Sequence, residues 1–167
     1  GDLWVMDQAC EIQTGDLAGL PARAQALLSG QRDAVANAAN LSALLFYSLE
    51  HVNWAGFYFL RGSQLVVGPF QGKPACVTIP LGRGVCGTAA ATRQVQRVAD
   101  VHDFAGHIAC DADSRSEIVL PLVHEGRLLG VLDLDSPLPA RFSDEDERVL
   151  LAIADIYVRS IDWPDTA

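Results

Sequence analysis

The sequence predicts an α+β fold in which a central antiparallel sheet of about six strands is flanked by N- and C-terminal helices. Two observations predict it. Segments with apolar residues at helical spacing lie toward both ends of the chain. Between them, short apolar stretches alternate with turns of glycine and polar residues, which is typical of strands joined as hairpins.

The composition indicates one globular domain. The 167 residues are 50% hydrophobic and 20% charged, which excludes a disordered, collagenous or coiled-coil chain. We divide the chain into an N-terminal extension (1–20), a folded domain (21–160) and a C-terminal tail (161–167). Twelve basic and 21 acidic residues give a net charge of −9, which argues against nucleic acid as a partner. No apolar run approaches the roughly 20 residues that span a bilayer, so we expect no membrane association and a cytoplasmic location.

Helices are predicted at both ends of the folded domain. Residues 21–52 lack strand alternation and carry leucines at helical spacing, with Gly30 as a break between two helices. The final helix follows Ser143, whose hydroxyl is suited to cap a first turn made of acidic residues.

The strands lie between these helices, and most of them pair as hairpins. A polar loop, 101–116, interrupts them and carries His, Asp and Cys residues, which is typical of a functional loop. Short apolar or alternating runs predict the strands at 54–60, 65–70, 76–81, 95–100, 117–123 and 128–135.

A glycine-rich segment, 82–87, follows the third of these strands and precedes a helix. Its spelling, Gly-Arg-Gly-Val-Cys-Gly, matches a dinucleotide-binding fingerprint. The hairpin pattern around it disfavours the parallel sheet that such a site requires, so we expect no dinucleotide cofactor. Backbone N–H groups at the start of that helix, near Gly84 to Cys86, are suited instead to holding a carboxylate. A glycine-rich turn without a ligand is the other interpretation.

Three of the four cysteines, Cys76, Cys86 and Cys110, fall close to the predicted loop and helix, while Cys10 stands apart. Zinc is one alternative, because His102, His107 and Cys110 form an H-x4-H-x2-C string. The paired ligand spacing of structural zinc sites is missing, so we expect no metal. Isolated buried thiols are a second alternative. Redox chemistry is the third, and the helix terminus, which lowers a thiol pKa, makes Cys86 the nucleophile that the residues alone favour.

Acidic residues mark two neighbouring strands of the predicted sheet. Asp133 and Asp135 are two positions apart and therefore point to one face, and Glu117 opens the strand that pairs with them. If this face is buried, the like charges keep at least one proton, which creates a neutral acid. If the strand ends are solvated, the three residues are ordinary surface acids. Trp54 and Tyr58 also share a strand face, where they form either core or the wall of a ligand pocket.

The motifs NWAGFYFL, GPFQGK, PLGRGVCGTA, DVHDFAGHIACDADSRSEIVLPL, GVLDLDS and RFSDEDE closely resemble those of the free methionine-(R)-sulfoxide reductases, which are stand-alone GAF domains. The likeness covers about residues 40–150. It implies a GAF fold, usually as a homodimer, and reduction of free L-methionine-(R)-sulfoxide to methionine without a cofactor, with thioredoxin as reductant.

The resemblance also implies the roles of single residues. Cys110 matches the attacking thiol, and Cys86 and Cys76 match the positions that form disulfides with it. The pocket residues follow in the same way: Glu117, Asp133 and Asp135 match the substrate-binding and proton-donating acids, and Trp54 and Tyr58 match the pocket walls. A GAF module that binds a small molecule and regulates a partner is the rival function.

Overall fold

A computed structural model describes residues 12–108 and 112–164 of the chain. Within these ranges, four α-helices and six strands are joined by loops, and one 3-10 turn, Val101–Asp103, lies within the predicted polar loop. In chain order the elements are α1 (Leu20–Leu28), α2 (Ala34–Ser48), β1 (Trp54–Arg61), β2 (Gln64–Gly72), β3 (Thr78–Pro80), α3 (Gly84–Thr92), β4 (Gln96–Val98), β5 (Ser116–His124), β6 (Arg127–Ser136) and α4 (Asp144–Ser160).

The six strands form one sheet in the order β3-β2-β1-β6-β5-β4, and every neighbouring pair is antiparallel. The hairpins β1-β2 and β5-β6 are those the sequence predicts, and β6 pairs with β1 at the centre. The α+β prediction is therefore confirmed. A dinucleotide-binding fingerprint requires a parallel βαβ unit. Segment 82–87 instead joins β3 to α3 beside an antiparallel sheet.

One face of the sheet carries the main apolar core. Helices α1, α2 and α4 pack on it, and the inward side chains of the central strands, such as Ile118, Leu120 and Leu132, are fully buried there. Tyr157 in α4 joins this core and donates its hydroxyl to the carbonyl of Ala34, 2.8 Å away. Burial of apolar surface is the main favourable contribution to the free energy of folding, and this layer buries it as the interior of an ordinary single-domain protein does.

The opposite face is covered by α3 and the adjoining loops. A second, smaller apolar cluster lies there, formed by α3 residues such as Val85 and Ala89 and by the strand residues Val119 and Val131. Successive strand residues point to opposite faces, so β5 and β6 contribute to both layers. All the acidic residues that the sequence predicts to be functional belong to this second face.

The helix boundaries follow local chemistry. Gly30, with φ of +79°, lies just after α1 and separates it from α2, as predicted. Ser143 caps α4 in a capping box with Asp146, whose carboxylate also accepts from Arg141 at 2.9 Å. Among the described residues, no helix combines the length and the apolar character needed to cross a bilayer.

Candidate active site

A pocket opens on the second face of the sheet, between the strands, the start of α3 and two loops. The two aromatic and three acidic residues that the sequence predicts to be functional all line it. The lining residues are Trp54, Tyr58, Glu117, Asp133 and Asp135 from the strands, Arg83, Gly84, Val85 and Cys86 from the start of α3, and Pro74, Ala75, Ile79, His107, Ile108 and Ser114.

Strand pairing brings the acids together. Glu117 in β5 lies directly opposite Asp135 in β6, and Asp135 is in turn opposite Trp54 in β1. Asp133 is opposite Gly56 in β1. The i, i+2 spacing therefore places both aspartates on the pocket face, as predicted.

Two of the three acids are buried and not solvated at strand ends, and Asp135 is half-buried. Glu117 is 8% exposed and Asp133 is 4% exposed. Burial raises the pKa of Glu117 well above its usual range, and the charge of Asp133 adds to this effect. Burial and the neighbouring charge of Asp135 likewise raise the pKa of Asp133. The cluster therefore keeps its protons to higher pH than exposed carboxyl groups do, which favours a neutral carboxyl group that can donate one.

Cys86 lies at the same cluster, at the third residue of α3. It is a free, buried thiol, and its Sγ is 4.0 Å from Oε2 of Glu117. Burial, followed by the charges of Asp133 and Glu117, raises the pKa of the thiol well above its usual range. The expectation that the helix terminus favours a thiolate at Cys86 is therefore wrong, because desolvation and facing carboxylates outweigh the helix dipole.

The other cysteines differ from Cys86. Cys76, in the loop that leads to β3, is disulfide-bonded. Because Cys86 is a free thiol, these two cysteines are not bonded to each other. Cys110 and Cys10 lie outside the described residues, so the role predicted for Cys110 stays a prediction.

An aromatic wall borders the acids. The indole of Trp54 stacks between the rings of Tyr58 and Phe70, with centroid distances of 5.7 Å and 5.1 Å. Phe70 occupies the space that a side chain at Gly56 would need, since a Cβ there would come within 2.3 Å of the Phe70 Cβ. Sequence reasoning missed Phe70 as a support of this wall, although a glycine opposite an aromatic residue in a predicted hairpin was the available signal.

The loop between β2 and β3 is held against this wall by hydrogen bonds. Trp54 donates its indole N–H to the carbonyl of Lys73 at 3.1 Å, and Tyr58 donates its hydroxyl to the carbonyl of Cys76 at 3.3 Å. Lys73 also pairs with Asp113, in the loop before β5, at 2.8 Å. The aromatic residues therefore position the segment that carries Cys76 and do not act only as walls.

The first turn of α3 presents backbone donors to the pocket. Its N-cap residue, Arg83, makes no side-chain capping bond, and the turn contains no acidic residue. Gly84 adopts φ of +65°, where a side chain would be strained and would crowd Ile108. The leading N–H groups of a helix have no intrahelical acceptor, so this turn is suited to an anionic group.

The two histidines of the zinc alternative have different surroundings, and its third member, Cys110, lies outside the described residues. His102 pairs with Asp100 at 3.0 Å in the 3-10 turn, whereas His107 lines the pocket. Partial burial, followed by the nearby His102, lowers the pKa of His107. Within the described ranges, the residues that could hold a metal ion are instead Cys86, Glu117 and Asp133, whose ligand atoms all lie within 4.8 Å of one another.

Comparison with known proteins gives consistent results. The family model of the GAF domain matches residues 11–161. The free methionine-R-sulfoxide reductase of Escherichia coli (strain K12) is 62% identical over 125 residues, which are 75% of this chain and 76% of that protein.

Solved structures are similar over most of the chain. The free methionine-R-sulfoxide reductase from Neisseria meningitidis, in complex with its substrate, is 38% identical, with a TM-score of 0.85 over 90% of this chain and 93% of that one. A structure described as a putative GAF sensor protein from Burkholderia vietnamiensis is 59% identical, with a TM-score of 0.84 over 87% of this chain and 92% of that one.

Proposed function

The chain belongs to the GAF domain family and, within it, to the free methionine-R-sulfoxide reductases, and from this premise we propose that it reduces free L-methionine-(R)-sulfoxide to L-methionine. The observation that carries the proposal is the pair of buried carboxyl groups, Glu117 and Asp133, beside an aromatic wall in one pocket. A sulfoxide oxygen leaves only when it is protonated, and carboxyl groups with a raised pKa supply protons at neutral pH.

The chemical step begins with the thiolate of Cys110, whose role follows from the resemblance of its motif. It attacks the sulfoxide sulfur, while a protonated carboxyl among Glu117, Asp133 and Asp135 donates its proton to the oxygen. The hydroxyl group then passes from the substrate sulfur to Sγ of Cys110, as the sulfur–oxygen bond of the substrate and the transient sulfur–sulfur bond break. Methionine leaves with two more electrons on its sulfur, and Cys110 becomes a sulfenic acid. The substrate is reduced and Cys110 is oxidised by the same two electrons.

A second thiol then condenses with the sulfenic acid, forming a disulfide and releasing water. We assign this step to Cys76. Its disulfide-bonded state supports the assignment, and so does the raised pKa of Cys86, since a buried protonated thiol is a poor nucleophile. Thioredoxin, with a potential near −270 mV, is a suitable reductant for the resulting disulfide.

Binding of the free amino acid uses three parts of the pocket. The first turn of α3 and Arg83 face the α-carboxylate, the ionised carboxylates face the ammonium group, and Trp54 and Tyr58 enclose the apolar chain. A peptide-bound methionine sulfoxide has neither charge, which accounts for a preference for the free amino acid.

The test is a single turnover without reductant. Fully reduced protein mixed with a slight excess of racemic free methionine sulfoxide should form about one methionine per chain and lose about two thiols. Chiral analysis of the remaining sulfoxide should show that the R epimer has been consumed. If no methionine forms and no thiol is lost, the reductase proposal fails and the regulatory GAF module becomes the better interpretation.

Cysteine variants test the assigned roles. Cys110→Ser should abolish the single turnover, whereas Cys76→Ser should form methionine once and leave a sulfenic acid that dimedone traps. Cys86→Ser should retain the single turnover. Loss of methionine formation in Cys86→Ser together with its retention in Cys110→Ser would contradict the assignment.

The homodimer and the cytoplasmic location implied above stay predictions, as does the division of the chain at residues 20 and 160. Sedimentation equilibrium of the full chain measures the oligomeric state. Limited proteolysis, followed by mass analysis of the protected fragment, measures the domain boundaries.

A further inference from the structure

The cluster of Cys86, Glu117 and Asp133 has the chemistry of a cation site as well as that of a proton donor. It combines one thiol with two carboxyl groups, drawn from α3, β5 and β6, and their potential ligand atoms lie within 4.8 Å of one another. All three side chains are more than nine-tenths buried, at 5%, 8% and 4% exposure. Ligands on three packed elements of the fold are held with little freedom.

A second observation points to a missing ligand at this place. Oδ1 of Asp133 is buried and has no hydrogen-bond partner among the described residues. A buried carboxylate oxygen without a partner is costly, because it has lost its hydration without compensation. Asp133 lines the pocket, so an incoming group can reach this oxygen.

We propose that Cys86, Glu117 and Asp133 form a binding site for a thiophilic divalent cation, of which Zn²⁺ and Cd²⁺ are representatives. The thiolate selects these ions over Mg²⁺ and Ca²⁺, which prefer six or more oxygen ligands. Three protein ligands leave a fourth tetrahedral position open toward the pocket, as in zinc sites that retain a water molecule. Tetrahedral ligands around zinc are about 3.3–3.6 Å apart, so ligand atoms that lie within 4.8 Å of one another need to approach by about 1.5 Å at most.

Charge and proton balance are simple for this step. The cation enters with two positive charges, and the thiol of Cys86 releases its proton to the buffer, together with any proton held by the two carboxyl groups. No electron is transferred. The three deprotonated ligands carry three negative charges, and the cation reduces this to one, which offsets the repulsion between the carboxylates.

The site has a consequence for catalysis that rests on the proposed function. The cation occupies the same carboxyl groups that would protonate the sulfoxide oxygen, so it excludes the substrate. Inhibition should therefore be competitive with free methionine sulfoxide and reversible by a chelator. The binding step itself involves neither the substrate nor Cys110, and it is measured separately from activity.

The first measurement uses Cd²⁺ alone with the full chain. Cadmium bound to a thiolate absorbs in the ultraviolet, and titration should show one tight site per chain with release of protons to the buffer. The protein should be titrated twice, fully reduced and with Cys76 disulfide-bonded. Because Cys86 is a free thiol while Cys76 is in its disulfide, both forms should bind. Binding by the reduced form only would place the metal on the redox cysteines and overturn the proposal.

Variants separate this site from other thiols and acids. Cys86→Ser and Glu117→Gln should each weaken Cd²⁺ binding by about 100-fold or more. The matched controls are Cys10→Ser, for a thiol that is not one of the three proposed ligands, and Glu145→Gln, for an acid on the surface of α4. Both controls should bind as the wild type does, and unchanged affinity in Cys86→Ser or Glu117→Gln would overturn the site.

The activity assay then follows with the metal concentration buffered. Increasing Zn²⁺ should raise the KM for free methionine sulfoxide without changing kcat, and a chelator should restore it. If Cd²⁺ binds as described but the protein reduces no sulfoxide, the metal site stands and the proposed function fails. If the protein reduces sulfoxide but no thiolate–cadmium absorption appears, the reductase stands and the metal site fails.

Discussion

The two faces of the sheet differ in what the same strands build on them. On the face covered by α1, α2 and α4, strands β5 and β6 contribute Ile118, Leu120, Leu132 and Leu134, all fully buried among apolar neighbours. On the other face the same strands contribute carboxyl groups beside a buried thiol, and burial raises the pKa of Glu117, Asp133 and Cys86. The comparison shows that one face supplies the stability that the other requires, because buried acids destabilise a fold.

The largest expected effect is on activity at the acidic face. Asp133→Asn keeps the shape of the side chain and removes its ability to donate a proton, so kcat/KM for free methionine sulfoxide should fall by about 10²–10⁴-fold. Steady-state kinetics with thioredoxin measures this, and Asp144→Asn, on a side chain that is 96% exposed, is the control. Activity within a few-fold of the wild type would show that Asp133 takes no part in proton transfer.

The core face should show the opposite behaviour. Leu120→Ala removes a fully buried side chain and should lower the free energy of unfolding by about 2–5 kcal/mol. The activity of the protein that remains folded should be unchanged, because Leu120 lies on the face away from the pocket. Urea denaturation and active-site titration measure the two quantities. A loss of specific activity as large as that of Asp133→Asn would mean that the two faces are not separable.

The pH dependence of stability sharpens the comparison. The folded-state pKa of Asp133 lies above its ordinary value of 3.8, so the unfolded chain releases this proton at lower pH than the folded chain does. Stability therefore falls as pH rises from about 4 toward the folded-state pKa. Asp133→Asn has no carboxyl group to titrate at this position and should therefore be more stable than the wild type at pH 7.

Thermal denaturation between pH 4 and pH 8 measures this difference, and the two proteins should converge at the acidic end. Leu120→Ala serves as the control, because its deficit should stay constant with pH. A wild type that gains stability relative to Asp133→Asn as pH rises would contradict the direction of the shift.

The smallest effect is expected at the rim of the pocket. Arg83 precedes the uncapped first turn of α3 and faces the pocket, so Arg83→Ala should weaken recognition of the substrate carboxylate by about 10-fold in kcat/KM. The methyl ester of methionine sulfoxide lacks this charge, and the variant and the wild type should reduce it equally well. An equal loss with both substrates would show that Arg83 acts on the fold and not on the carboxylate.

The predicted elements correspond closely to the structure, because hydrophobic periodicity and turn chemistry act locally. The β5-β6 hairpin, the cap at Ser143 and the separation of the first two helices near Gly30 are confirmed. The strand predicted at 76–81 is shorter, Thr78–Pro80, since only its centre pairs with β2. The paired spacing of Asp133 and Asp135 was likewise sufficient to place both on one face.

Other properties of the site were not accessible from local sequence. The pKa of the Cys86 thiol depends on Glu117, 31 residues away in the chain, which only the packing of α3 on β5 brings to 4.0 Å. The hydrogen bonds from Trp54 and Tyr58 to the loop that carries Cys76 likewise join segments that are separated in the chain and meet only in the folded protein. The helix terminus is visible in the sequence and predicted a lowered pKa for the thiol of Cys86. The burial of this thiol and the buried carboxyl groups around it are not visible in the sequence, and they raise that pKa instead.

The sequence by itself determined the order of helices and strands, the face on which each strand residue lies, and the set of thiols, acids and aromatic residues available for chemistry. These follow from periodicity and from residue type, which each segment carries with it. The tertiary structure decided which of these groups are buried together and which ionise. The reason is that desolvation and charge repulsion depend on distances between segments far apart in the chain, and those distances exist only once the sheet has formed and α3 has packed against it.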